Sequence, residues 1–366
     1  KVVASMPLKP LYNNDGAQAI RLDSGQQRAL WALKEAIRTK KLILEKNKCL
    51  CGNQDPCSDI VVSEKDRYGL AISQIICSKC GLVRSGLVFS NQSNELFYKD
   101  YYRNLYTTHQ PTEIFFKDQV THGEKFISLL KKKNIFAEIQ NIAEIGCGAG
   151  GILFPFYKAG KNVQGFDFNT KYLNYGKKFE ISLFEGDYNS FLRENSCDLI
   201  ILSHVLEHFL DPIAEITKIL TKIKPNKYLL IEIPGIYNIR EAYKNPILYF
   251  QNAHVYNFFG NYLKIFFTSF GMKIIEANEQ CVFICQKTTV APKVNFIFNE
   301  SLSSEPIKIF NYIRETKQEY NSFKNRIIRF NQKHQIVQHL YQIVCMFGWK
   351  KIRNIVPIKI RNFFQG

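Results

Sequence analysis

The chain has 366 residues, enough for two or three domains, and its apolar and aromatic content of 46% and 14% suits globular packing. Its formal net charge of +17 suits an anionic partner: nucleic acid, a membrane face or a phosphorylated small molecule. No run of about 18 apolar residues occurs, which excludes a transmembrane helix, and no signal-peptide pattern opens the chain.

The chain begins at Lys1 rather than Met, which puts the expected natural start upstream. Residues 1–48 read as a leader with one helix. "SGQQRALWALKEAIRTKKLILEK" has helical spacing at Leu30, Leu33 and Ile37, with Ser24 as the expected cap.

Residues 49–90 read as a zinc ribbon. "CLCGNQD" and "CSKCGLV" place Cys49, Cys51, Cys77 and Cys80 as C-x-C and C-x-x-C, each followed by glycine. Two knuckles about 25 residues apart suit a tetrahedral Zn2+ site, and glycine permits the tight knuckle turn. Four thiolates leave no open position, so such a zinc is structural. Cys57 is an alternative ligand, and four unrelated free thiols are the competing reading. Most of the other cysteines are scattered through the later α/β pattern: Cys147 in a glycine loop, and Cys197, Cys281 and Cys285 in strand-like runs. Without a secretory signal they read as reduced, in a cytoplasmic protein.

Next comes a tyrosine-rich stretch, "LFYKDYYRNLY". Tyr98, Tyr101 and Tyr102 are expected to pack the ribbon onto the α/β region, with Tyr106 as a candidate pocket residue. From about 126 to 290, β-rich runs alternate with helical stretches: "NIAEI", "NVQGF", "ISLFE", "CDLIILS", "YLLIEIP", "MKIIEA" and "CVFICQK". This predicts an α/β fold, a Rossmann-like, doubly wound, mostly parallel sheet of seven strands, with the last two as an antiparallel edge pair. Residues 291–366 carry thirteen Lys and Arg against four Asp and Glu. Their apolar spacing is helical at Ile309, Tyr312 and Ile313, and again at Ile336, Leu340 and Ile343, which predicts a basic helical C-terminal extension. Its basic helices suit peripheral contact with the inner face of a membrane, an oligomer interface, or simple docking on the sheet.

"NIAEIGCGAGG" reads as strand, turn, helix. Its spacing, Gly146, Gly148 and Gly150, is G-x-G-x-G and not the dinucleotide fingerprint. Three acids stand at successive strand ends: Glu144 before the loop, Asp167 about 20 residues on in "GFDFN", and Asp187 in "EGD". Ligands bind along that edge in open α/β sheets.

Together "AEIGCGAGG", "GFDFN", "EGDYNS", "DLIILSHVLEHFLDP" and "YLLIEIPG" resemble the class I S-adenosylmethionine-dependent methyltransferases, over roughly 126–290. The resemblance implies that Gly146, Gly148 and Gly150 receive the methionine moiety of S-adenosylmethionine. It implies that Asp167 holds the ribose, that Asp187 lies near adenine, and that Glu144 and Ser203 complete the pocket. With the cysteine unit and "FYKDYYRNLY" in front, the chain resembles a bacterial subfamily associated with surface-polysaccharide and sugar-nucleotide genes.

Two histidine segments lie further along. "HVLEH" places His204, Glu207 and His208 as H-x-x-E-H, a pattern shared with inverted zinc proteases. Its position after a buried strand argues against a protease. His204 is a candidate general base. An E-x-x-E-H version holds a divalent metal in some O-methyltransferases, but His204 stands at the first position here, which argues against that metal. Glu207 and His208 are expected to bond loop backbones and shape the pocket. "YFQNAHVYNFF" sets His254 among aromatics and amides, which suits a sugar. Nucleotide-sugar C-methyltransferases carry "YHEH" near here; only His254 matches in "QNAH", which argues against abstraction of a proton from carbon. The expected activity is methyl transfer to a hydroxyl of a sugar or glycan, with His204 and His254 as base candidates. RNA methylation and sugar C-methylation are the alternatives, and "SHVLEH" stands where an amino-methylating enzyme has an "NPPY"-type motif.

Overall fold

The structure is a computed structural model that describes residues 8–53, 55–106, 112–289, 300–322 and 326. Among the described residues, five strands precede residue 90: β1 (Leu44–Lys46), β2 (Ile60–Ser63), β3 (Gln74–Ile76), β4 (Val83–Ser85) and β5 (Leu87–Phe89). Eight more come after it: β6 (Asn141–Ile145), β7 (Asn162–Asp167), β8 (Ser182–Glu185), β9 (Cys197–Ser203), β10 (Ile223–Glu232), β11 (Tyr256–Asn257), β12 (Met272–Ala277) and β13 (Val282–Lys287). The α-helices begin with α1 (Ser24–Arg38), α2 (Asn91–Leu96), α3 (Arg103–Tyr106), α4 (Thr112–Lys132) and α5 (Leu153–Lys158). They continue with α6 (Thr170–Gly176), α7 (Pro212–Lys222), α8 (Ile239–Ala242), α9 (Gly260–Ser269) and α10 (Glu305–Asn321).

The seven-stranded sheet forms as expected, in the order β12-β13-β10-β9-β6-β7-β8. Strands β6 to β10 run parallel, and β13 is antiparallel to both of its neighbours. Strand β9 is buried over six of its seven residues, as a central parallel strand covered on both faces must be. Leu199 and Ile201 join one apolar cluster while Ile200 and Leu202 join the other, the alternation that a pleated strand imposes. The chain leaves β6 in one direction for β7 and β8 and in the other for β9 and β10, so the loop after β6 sits at the point where strand order reverses.

Two local expectations shift. The cap of α1 is Asp23, not Ser24: its carboxylate accepts from Gly25 N at 2.7 Å and Gln26 N at 2.9 Å, while Gln26 Oε1 accepts from Asp23 N at 3.2 Å. That reciprocal pair needs an acceptor three residues before Gln26, which selects Asp23. Strand β10 begins five residues early, at Ile223; Pro225 reads as a breaker, and the ladder takes it in at an irregularity between Ile223 and Tyr228.

Strands β2, β3 and β4 form an antiparallel meander, and β11 adds to it, pairing Tyr256 with Arg84 and Asn257 with Val83. The cysteine segment is thus completed by a strand from the His254 region. Asp66 ties the same two segments together. It is fully buried and accepts from Tyr68 N and Leu70 N, each at 2.9 Å, and from Asn252 N at 3.2 Å. Burial pushes its pKa up to about 7, against 3.8 for a free Asp. Between those values the folded chain keeps a proton that the unfolded chain has released, so this group's stabilisation is complete below the unfolded value and is lost as pH rises through the folded one. Asp66→Asn removes that dependence. Urea unfolding from pH 4 to 8 is expected to show wild type losing roughly 4 kcal/mol relative to the variant; a constant difference would refute it.

The chain divides into two compact units, 1–313 and 314–366. In the first, the extension's predicted helix starts at Glu305 and buries Ile309 and Ile313. In the second, the described residues are the end of α10, Ser322 and Arg326. Ile336, Leu340, Ile343 and the basic segment around them lie outside the described residues. Among the described residues no helix is long and apolar enough to cross a membrane.

Candidate active site

The glycine loop comes directly after β6. Gly146, Gly148 and Gly150 have φ of +73°, +57° and +74°, the left-handed region that glycine adopts without a Cβ clash. A Cβ on Gly146 would lie 2.6 Å from Val205 Cγ2, and one on Gly150 2.9 Å from Leu183 Cδ2. Helix α4 braces the loop: Gln119 Oε1 accepts from Ala149 N and Gly151 N, both at 3.2 Å, and Gln119 Nε2 donates to Cys147 O at 3.0 Å. No local pattern in the sequence marks Gln119, because its partners lie about thirty residues away.

Asp167 ends β7. Its Oδ2 accepts from Gly148 N at 2.9 Å, and its Oδ1 from Asn169 N at 2.7 Å and Arg103 Nη2 at 2.8 Å. The carboxylate therefore links the loop to α3. Phe168 beside it is 75% exposed, an apolar ring at the same edge. Glu144 is buried on β6, and its Oε2 has no hydrogen-bond partner. Burial, reinforced by the charge of Asp167, pushes its pKa well up and favours the neutral acid. Asp187 is exposed and caps the short helical turn Tyr188–Ser190 through Asn189 N at 3.1 Å. Ser203 Oγ donates to Glu232 Oε2 at 3.3 Å.

His204 succeeds β9 with φ +55°, a strained value for a residue with a side chain. Its N–H donates to Glu232 O at 2.8 Å. Its Nδ1 lies 3.6 Å from Glu207 Oε1 and its Nε2 3.9 Å from Glu232 Oε2. Partial desolvation works against the imidazolium, but Glu207 and then Glu232 outweigh it and raise the pKa. Glu232, at the end of β10, also meets His122 of α4 at 2.5 Å. Burial opposes its charge, yet His122, His204 and Ser203 hold its pKa below the ordinary value. Glu232 is legible in "YLLIEIPG" as an acid at a strand end; His122 carries no comparable signal. The "DP" of the motif has a helical role: Asp211 caps α7, accepting from Ala214 N at 3.0 Å, and Pro212 opens the helix.

His254 is buried, and burial, followed by the charges of His208 and Arg67, pushes its pKa well down. Val255 N donates to Glu207 O at 2.8 Å, which pins this segment to the turn after β9. His208 Nδ1 lies 2.9 Å from Ala253 O and 3.1 Å from Tyr98 OH. Tyr106 OH donates to Asn252 Oδ1. A π-helical stretch, Phe97–Tyr102, joins α2 to α3 and turns Tyr98 and Tyr102 toward His208. Tyr98, Tyr102 and Tyr106 thus pack on one another and on the two histidine segments, Tyr98 and Tyr106 through their hydroxyls, whereas Tyr101 lies under Lys41.

Cys49, Cys51, Cys77 and Cys80 converge as a buried cluster, with sulfur–sulfur distances of 3.5 Å for Cys49–Cys80, 3.5 Å for Cys49–Cys51 and 3.6 Å for Cys51–Cys77. The glycines close the knuckles: Gly52 N donates to Cys49 O at 3.0 Å and Gly81 N to Cys77 O at 2.9 Å, with φ of +69° and +76°. Cys57 is exposed and outside the cluster. A buried Asp59–Arg84 pair at 2.7 Å stands by, with Asn53 Nδ2 3.7 Å from Cys77 Sγ.

Residues 119–277 match the family model described as "Methyltransferase domain". No curated protein matches the sequence. Among solved structures, the chain is similar to a SAM dependent methyltransferase from Archaeoglobus fulgidus, at 22% identity over 41% of this chain and 69% of that one, with a TM-score of 0.35. It is similar to an O-methyltransferase family protein from Burkholderia thailandensis, at 14% identity over 54% and 63%, with a TM-score of 0.38. It is also similar to Haemonchus contortus phosphoethanolamine N-methyltransferase 2, at 23% identity over 26% and 24%, with a TM-score of 0.25. With a glycine loop at the strand reversal and acids along the same edge, residues 119–277 match a methyltransferase domain in sequence and carry the Rossmann-like fold of one.

Proposed function

We propose that the domain methylates a hydroxyl of a sugar, carried on a nucleotide or within a surface glycan, with His204 as the base. The observation that carries this reading is His204 itself: a half-exposed ring in a strained backbone, set between Glu207 and Glu232 at the ligand edge of the sheet. S-adenosylmethionine supplies an electrophilic methyl group. Gly146, Gly148 and Gly150 leave bare backbone for it, and Asp167 and Asp187 supply carboxylates for its nucleoside. His204 takes the proton of the acceptor hydroxyl as its oxygen attacks, and the two carboxylates stabilise the imidazolium that results. His254, buried and 4.0 Å from the Glu207 oxygen that His204 also faces, is the second base candidate. Alignment of acceptor and methyl supplies much of the rate.

We further infer that the four cysteines hold a structural Zn2+. Bonds of about 2.3 Å in a tetrahedron separate sulfurs by about 3.8 Å, close to the spacing in this cluster. The two knuckles, with their glycines, present all four sulfurs to one point.

Titration calorimetry is expected to detect S-adenosylmethionine binding, and labelled methyl from it is expected on sugar nucleotides or glycans. Label on RNA alone would replace the acceptor class, label on a sugar carbon would replace the chemistry, and absence of cofactor binding would end the reading.

A further inference from the structure

Glu207 is buried at 2% exposure, and neither of its carboxylate oxygens has a hydrogen-bond partner. A carboxylate withdrawn from water without donors is costly unless a proton or a cation joins it. Three imidazoles face the same oxygen: besides the half-exposed His204, whose Nδ1 lies 3.6 Å away, the more buried His208 Nε2 lies 3.9 Å and His254 Nε2 4.0 Å from Glu207 Oε1. These separations are too long for hydrogen bonds. They are close to those of ligands sharing one ion. Bonds of about 2.1 Å in a tetrahedron put ligand atoms about 3.4 Å apart, so a contraction of about half an ångström closes the set.

The surroundings prepare the donors. The Ala253 carbonyl, 2.9 Å from His208 Nδ1, can only accept a hydrogen bond, so Nδ1–H donates to it and the Nε2 lone pair is left toward Glu207. An imidazole that gives its other N–H to a backbone carbonyl is the usual form of a metal-binding histidine. The turn carrying Glu207 and the segment carrying His254 are locked together by Val255 N to Glu207 O at 2.8 Å, and Ser85 Oγ donates to His254 O at 2.8 Å. Gln251 places its side-chain amide against His254 Nε2, and Gln251 Oε1 is buried without a partner. Turning that amide over offers its oxygen in place of its nitrogen, which an arriving cation would favour.

We propose that Glu207, His208 and His254 bind a divalent cation of the zinc, cobalt or manganese kind, at a second site chemically unlike the four-cysteine cluster. Two imidazoles and a carboxylate suit such ions better than magnesium or calcium, which prefer all-oxygen sets. A role for the ion in polarising the acceptor hydroxyl rests on the methyl-transfer reading; its binding does not.

The test is metal stoichiometry of the full chain. Protein equilibrated with Co2+ and desalted is expected to carry two ions, one of which gives the intense thiolate-to-cobalt absorption of the cysteine cluster. Glu207→Gln is expected to lose the other ion and to keep that absorption, with a native circular dichroism spectrum. Should Glu207→Gln fail to fold, His254→Gln carries the same expectation. A wild-type chain whose only ion is the thiolate-bound one, or a folded variant that keeps both, overturns the proposal. S-adenosylmethionine binding, measured in parallel, reports separately on the methyltransferase pocket.

Discussion

Asp167→Ala is expected to reduce S-adenosylmethionine affinity by a factor of roughly 150 to 25,000 while the chain stays folded. The carboxylate lies where the cofactor's ribose is proposed to bind, and hydrogen bonds to a charged group contribute roughly 1.5–3 kcal/mol each. Two hydroxyls give the range stated. The same side chain also holds the glycine loop through Gly148 N and secures Arg103, at 2.9 Å and 2.8 Å, so its loss disturbs the pocket as well as removing a contact. Asp167→Asn separates the two effects: it keeps an acceptor for Gly148 N but loses the charge, and an intermediate affinity is expected. Calorimetric titration of the three proteins is the measurement. Equal affinity in all three would show that the nucleoside binds elsewhere.

Withdrawing the proposed zinc is expected to have the largest effect on stability. Strands β2, β3 and β4 have only four, three and three residues, too little apolar surface to hold a sheet unaided. Structural zinc contributes about 10–16 kcal/mol in isolated finger peptides. Part of that suffices here because β11 and Asp66 also bind the segment to the sheet-bearing body. A loss of about 5 kcal/mol lowers the midpoint by about 10–20 °C in a domain of 150–250 residues. Thermal unfolding with and without chelator, alongside zinc analysis, checks this, and Cys77→Ser should reproduce it. The disturbance should spread to His254, whose carbonyl accepts from Ser85 and whose neighbour Tyr256 pairs with Arg84. A chain proved zinc-free with an unchanged midpoint would show that the four sulfurs do not carry the fold.

Much of this protein is open to reading from residue order. Runs such as "CDLIILS" and "NIAEI" form strands with the boundaries expected of them, since a buried parallel strand is apolar at nearly every position. The knuckle glycines and the loop glycines adopt positive φ where close backbone turns require it. Asp167 and Ser203 reach the ligand edge because strand ends in a parallel sheet all face one way. Glu232 belongs to the same series, hidden within its apolar run.

Other parts have no local trace. Tyr256 and Asn257 complete the cysteine segment's sheet by pairing with Arg84 and Val83, distant in sequence. Gln119, His122 and Arg103 serve the site from elements before β6. Glu207 meets His254 only because Val255 bonds to its carbonyl. Sequence by itself determined the periodic elements, the left-handed turns and the donor types, all set by interactions within a few residues. Tertiary structure alone decided which distant side chains meet at Asp167, Glu232 and Glu207, because those contacts depend on how separate elements dock, and docking is governed by packing and hydrogen bonds summed over the whole unit.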